Sequence, residues 1–248
     1  MTNDWVAGAD GCRAGWIVAL RNIETGEHRT RFVAALADAL AAEPLGLDTP
    51  PAVLAADVPI GLLALAVPRG RSCDRAARDL LGWPRRTSVF SPPSRAALGA
   101  QTHAEASALN RASGPDAPGL SIQAFGIFPK LREADALATP ALQRGDGPTR
   151  LVEVHPEVAF AQMNGSEAVA VSKKKPEGRE VRVRLLRLSG VTDPLAHVRQ
   201  CRGTAPADDV LDALACAWTA ERVLRGTALR LPETPEEDPR GLRMEIWA

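Results

Sequence analysis

The sequence predicts an α/β protein of three layers, with a mixed sheet between helices. Three observations carry that expectation. Short apolar runs broken by glycine open the chain, another apolar run follows a helical stretch, and the strongest amphipathic helix comes late. Strands first, a strand after a helix, then helices that fold back on the sheet give this layering. The sheet is expected to hold five strands or slightly more. A length of 248 residues suits one large α/β domain or two small ones. We read a single domain over 1–248, with an insertion over 68–140.

The N-terminal part reads as a meander. Val6–Ala9 is a short apolar strand, and Gly11–Gly15 is a glycine-bounded turn. Trp16–Leu20 is a second strand, and His28–Val33 a third after the turn at Glu24–Gly26. Leu36–Glu43 predicts a short alanine-rich helix. Ala52–Ala56 is almost wholly apolar, as in a strand buried on both faces. Prolines and glycines punctuate 68–95, with a helix over Asp74–Leu81. This stretch also carries Trp83, Val89 and Phe90, so it reads as an ordered insertion. Helices follow at Ser94–Ala112 and Phe128–Leu137, then a strand at Leu151–Val154. Further helices are expected at Pro156–Gln162, Pro176–Leu188 and Pro194–Gln200. Asp208–Leu224 is the clearest helix, with a broad apolar stripe from Val210 to Val223 and Gly226 beyond its end. Pro232–Pro239 is acidic and reads as loose, and Leu242–Trp247 alternates like a last strand.

Composition narrows the function. An apolar content of 45% supports a packed core. No apolar run approaches the ~20 residues a membrane helix needs, and the N-terminus has no signal-peptide pattern. A cytoplasmic location and no membrane partner are therefore expected. The 4 cysteines, Cys12, Cys73, Cys201 and Cys216, lack the spacing of a zinc site and read as reduced thiols. Net charge is zero, so any nucleic-acid surface must be local. Two stretches, Arg69–Arg95 and Lys173–Arg187, are locally basic. Each suits a solvated helix face, and beside acids each also suits a phosphate-facing rim.

The candidate chemistry lies in carboxylates distant in sequence. Asp10 ends the first apolar strand and precedes a glycine-rich turn, where an aspartate often only braces the backbone. Asp57 ends the run Ala52–Ala56 and is followed by Val58-Pro59-Ile60. An ionised carboxylate among apolar neighbours is costly unless paired, hydrogen-bonded or metal-bound. Asp209 and Asp212 lie one turn apart on the late helix, with Cβ atoms about 5–6 Å apart. The helix dipole accounts for Asp209 but poorly for Asp212, which lies beside the apolar stripe. Glu153 and His155, expected on one side of their strand, are accessory candidates: base, metal ligand or ordinary hydrogen-bonding residues. Lys173, Lys174 and Lys175 are candidates for substrate phosphate, though a mobile surface loop accounts for them more simply; Arg85 and Arg86 are phosphate candidates too.

Five segments in order carry a resemblance: Gly8–Trp16, Asp57–Leu62, Arg85–Pro92, Glu153–Glu157 and Asp208–Leu214. With them the chain resembles domain of unknown function 429, a family described as predicted nucleases of the RNase H-like fold. The resemblance implies an RNase H-like three-layer fold with helical insertions. It also implies acids from the first strand, the fourth strand and a late helix. Those match Asp10, Asp57, and Asp209 or Asp212. The stretch Asp209–Ala215 is similar to the acidic helix of Holliday-junction resolvases.

The expected function is a metal-dependent nuclease or phosphodiesterase. Asp10, Asp57, Asp209 and Asp212 would hold Mg²⁺ or Mn²⁺, two ions ~4 Å apart activating water and stabilising the leaving oxygen. Nucleic acid is the expected substrate, and a homodimer stays open. Two rival readings remain. A phosphotransferase of the sugar-kinase or actin type also places an aspartate–glycine turn after a strand, but Asp57-Val58-Pro59 makes a poor second phosphate turn and no Walker-type loop exists. A non-catalytic scaffold with the same fold is the other.

Overall fold

The structure, a computed structural model, describes residues 4–248. Seven strands are described: β1 (Trp5–Gly11), β2 (Trp16–Asn22), β3 (His28–Val33), β4 (Val53–Ala56), β5 (Arg150–Glu153), β6 (Arg230–Glu237) and β7 (Arg243–Trp247). The first five form one mixed sheet in the order β3-β2-β1-β4-β5. The meander β1-β2-β3 is antiparallel, whereas β4 joins β1 and β5 joins β4 in parallel.

Period-two alternation explains the two faces. Val6, Ile17, Ala19, Val53, Ala55 and Val152 point into one core. Ala7, Val18, Leu20, Leu54, Ala56 and Leu151 point into the other. The first core is closed by α6 (Pro156–Met163), α7 (Pro176–Leu188), α8 (Pro194–Gln200) and α9 (Ala207–Leu224). The second is closed by segments between β3 and β5, chiefly α2 (His103–Ala112) and α4 (Phe128–Leu137), and by a 3-10 turn at Leu36–Leu40. The remaining helices before β5 are α1 (Ser72–Arg85), α3 (Ile122–Gly126) and α5 (Pro140–Arg144).

Helix α9 lies directly on β1. A Cβ at Gly8 would stand 2.0 Å from the Ala217 nitrogen and 2.4 Å from the Ala213 oxygen, so only glycine admits this approach.

Several expectations are corrected. Leu36–Glu43 is not an α-helix: it forms 3-10 turns at Leu36–Leu40 and Glu43–Leu45, with extended backbone at Ala41 between them. Ser94–Ala112 is not one helix. A 3-10 turn, Arg95–Gly99, ends where Ala100 turns extended, and α2 restarts under Thr102, whose side chain accepts from the Glu105 amide. Helix α1 runs past Leu81 to Arg85 but breaks at Gly82, where φ is 58°. Pro232–Pro239 is not loose. Most of it is β6, paired antiparallel with β7 in a separate hairpin. That hairpin meets the main sheet through the Val154–Trp247 bridge. Among the described residues no helix is long and apolar enough to cross a membrane. The four cysteines are free and buried.

Candidate active site

The sheet's own alternation aims the acids. Val6, Gly8 and Asp10 share the face of β1 that meets α9. The Asp57 amide donates to the Ala9 carbonyl at 2.8 Å, which extends the parallel pairing and sets Asp57 beside Asp10. Asp57 keeps the parity of Val53 and Ala55 and so faces α9 as well. Because Gly8 brings α9 onto β1, Asp212 in the second turn of that helix reaches the same point. Asp10 is 7% exposed and Asp212 1%. Asp209, nearer the start of α9, is half-buried at the rim.

The electrostatics register this convergence. Burial raises the Asp10 carboxyl well above its ordinary value, and the charges of Asp57, Asp212 and Asp209 push the same way against Lys173. Asp57 is also raised, first by burial, with His155, Lys173 and a hydrogen bond from Asp10 opposing. Asp212 rises to about 7, driven by burial and opposed by Lys173. Asp209 rises to about 6 through burial and the neighbouring Asp208 charge.

Lys173 sits among these acids. Its ammonium bonds the Asp212 carboxylate and raises its own pKa despite burial, with help from Asp10 and Asp57. Gly178 makes this possible, because a Cβ there would stand 2.1 Å from the Ser172 oxygen. The chain can therefore fold back at the start of α7. Lys174 pairs with Asp208 at 2.5 Å and holds it below the usual carboxylate range against burial. Lys173 and Lys174 thus pair with acids, where the sequence suggested a substrate phosphate or a surface loop. Lys175 is exposed at the cap of α7.

Glu153 takes a different role from the aspartates. Its parity in β5 is that of Leu151, away from α9, and it binds Arg71 through both oxygens at 2.6 and 2.8 Å. Arg71 also bonds Asp74 at 2.7 Å, and the Ile60 amide donates to Glu153 at 2.6 Å. Burial raises Glu153 to about 7 against the Arg71 charge. Glu157, on α6, is held by Arg182 at 2.6 and 2.7 Å. Neither buried guanidinium stood out in the sequence, because Arg71 and Glu153 lie 82 positions apart. The local spacing Arg71-x-x-Asp74 was the one visible hint.

His155 caps α6 and lies near enough to Asp57 to lower its pKa. Its Nε2 is 3.3 Å from the Ser88 carbonyl oxygen. A carbonyl only accepts, so Nε2 carries a hydrogen toward Ser88. Among the described residues, the buried atoms without a partner include His155 Nδ1, Arg85 Nε and Asp212 Oδ1. Arg85 lines the recess over the acids. Arg86 lies outside it, exposed, 5.7 Å from the Trp83 ring. The recess has a volume of about 470 Å³, with Asp10, Asp57, His155 and Lys173 in its lining, and Phe90 and Ile127 as apolar walls.

Oxygen donors are the chemistry of a hard cation. Asp10, Asp57 and Asp212 lie near enough to influence one another's charge, and one buried oxygen of Asp212 has no partner. As the side chains stand, no three described His, Cys, Asp or Glu residues close on a common metal position. The Lys173 ammonium supplies the positive charge beside Asp212.

The sequence pattern of the family described as "Protein of unknown function (DUF429)" matches residues 8–237. The chain belongs to the DUF429 family. No curated protein and no solved structure matches it. The matched span of this DUF429 protein includes every acid of the site.

Proposed function

We propose that this protein is a metal-dependent phosphodiesterase of the RNase H-like kind, acting on nucleic acid. The observation that carries this reading is the approach of buried Asp10 and Asp212 to Asp57 where β1, β4 and α9 meet, each carboxyl raised by burial. Burying carboxylates this close is expensive unless a cation relieves them. Asp10, Asp57 and Asp212 would hold Mg²⁺ or Mn²⁺, with Asp209 at the rim. When bound, such an ion polarises a phosphoryl oxygen and lowers the pKa of water.

The chain's own groups supply the rest. His155 Nδ1, with its partner nitrogen fixed on Ser88, accepts a proton beside Asp57. Lys173 is long and flexible, and with a cation held at Asp212 its ammonium would be free to meet the phosphate. Arg85 offers Nε to a second phosphate oxygen.

Labelled DNA and RNA strands incubated with Mn²⁺ test this reading. The wild-type protein should cleave at least one of them, and Asp10→Asn should lower the rate about 100-fold or more. Equal rates for both proteins overturn it. The Lys173–Asp212 pair also suits a non-catalytic scaffold, in which the ammonium is the lasting counter-ion. In that case Mn²⁺ would neither bind nor raise thermal stability.

A further inference from the structure

We propose that the recess over the acids is a subsite for an unpaired nucleotide within a single strand or strand end, its base lying on Phe90. This rests on the phosphodiesterase reading and names its substrate class.

The depth of the acids argues first. Asp10 lines the 470 Å³ recess and is only 7% exposed. A duplex keeps its bases paired inside and cannot splay one nucleotide into such a space without unpairing it. A single strand enters with base and phosphate separately available.

The walls argue second. Phe90 is 46% exposed, an apolar ring left facing solvent. Its loop is nonetheless fixed. Arg78 donates to the Val89 carbonyl at 2.7 and 3.0 Å and to Ser91 Oγ at 2.9 Å. The ring is therefore presented in a set place, as a stacking platform requires. Phe90 also lines a second cavity of about 270 Å³, beside Arg69 and Pro92. It stands between the two spaces, so a strand has room on either side of it.

The polar lining argues third. Arg85 lines the recess, where its guanidinium can meet a phosphate oxygen. His155 lines the same recess, where a sugar hydroxyl or a water can meet its ring. A free phosphate or sugar phosphate would meet these atoms but leave Phe90 and Ile127 unused. A nucleotide meets all of them.

The test is equilibrium binding to the full chain by fluorescence anisotropy, with metal chelated so that no cleavage intervenes. The probes are a fluorescein-labelled oligothymidylate, the same strand with abasic positions, and a blunt hairpin duplex. The plain strand should bind about tenfold or more tighter than the duplex. Phe90→Ala should weaken it about tenfold, in the range for loss of a stacked base, and Phe90→Trp should restore it. The abasic strand should bind wild type and Phe90→Ala alike. Duplex binding as tight as the single strand overturns the inference, as does Phe90→Ala behaving as wild type. Strand binding with the expected ratios but no Mn²⁺-dependent cleavage would sink the phosphodiesterase reading and leave this subsite standing. Cleavage lost in Asp10→Asn without strand preference would do the reverse.

Discussion

At the scale of single residues, the site stores its own instability. Asp212 is raised to about 7, and Asp10 and Asp57 are raised by burial. The unfolded chain ionises these groups near the ordinary carboxylate value of about 4. Between that value and the raised ones, the folded protein holds protons that the unfolded chain has lost. Stability from these groups therefore falls as pH rises from about 4 to about 7 and stays low above. A bound cation reverses the penalty, because it favours the charged forms. Saturating Mn²⁺ should thus raise the melting temperature more at about pH 8 than at about pH 5.5. Calorimetry at the two pH values checks this, and equal increments would contradict it. Metal-free Asp10→Asn should be more stable than wild type at about pH 8, by about 1–3 kcal/mol, as expected when a poorly compensated buried charge is removed. Asp10 and Asp57 were legible in the sequence because each is a charge ending an apolar run. Their adjacency was not legible, since it depends on pairing two strands far apart in the chain.

At the scale of elements, helix α9 and the fold-back before α7 decide where the charges meet. Gly8→Ala would drive a Cβ into the backbone of α9 at 2.0 Å, and no rotamer relieves a clash with backbone. Overpacking costs about 1–3 kcal/mol or more. Denaturant unfolding should show that loss, and cleavage should fall with it because Asp212 moves away from Asp10. A Gly8→Ala protein with wild-type stability would mean that α9 does not rest on β1. Lys173→Met separates two roles of the segment before α7. Without the ammonium on Asp212, Mn²⁺ should bind about tenfold tighter, a difference of about 1.4 kcal/mol. Turnover should drop in the same variant, since the phosphate loses its cation. Electron paramagnetic resonance titration reads the first effect and strand cleavage the second. Unchanged Mn²⁺ affinity would show that Lys173 does not oppose the metal. The five sheet strands and α9 were legible because apolar periodicity fixes them locally. The strand β6 was not, because acidic residues 232–239 gain their ladder only from β7. The division of Ser94–Ala112 was equally hidden, since alanines there suit a helix or a 3-10 turn.

At the scale of the whole molecule, two buried guanidinium groups tie separate pieces to the ends of the sheet. Arg71 joins the segment before α1 to β5 through Glu153, and Arg182 joins α7 to α6 through Glu157. Both arginines are about 1% exposed. Such pairs add little stability when intact but are costly to break, because the partner is left charged in the interior. Glu157 adds a consequence for the site, since its charge raises both Asp57 and Asp212. Arg182→Met should therefore do two things at once. It should destabilise the fold by about 3–5 kcal/mol. It should also move the pH dependence of cleavage upward, because an unbalanced Glu157 charge makes Asp57 and Asp212 harder to ionise. Adding Glu157→Gln to Arg182→Met should return the pH profile toward wild type and recover much of the stability. A profile that stays fixed through both variants would mean that Glu157 does not reach the acids, and that the two ends of the molecule work separately.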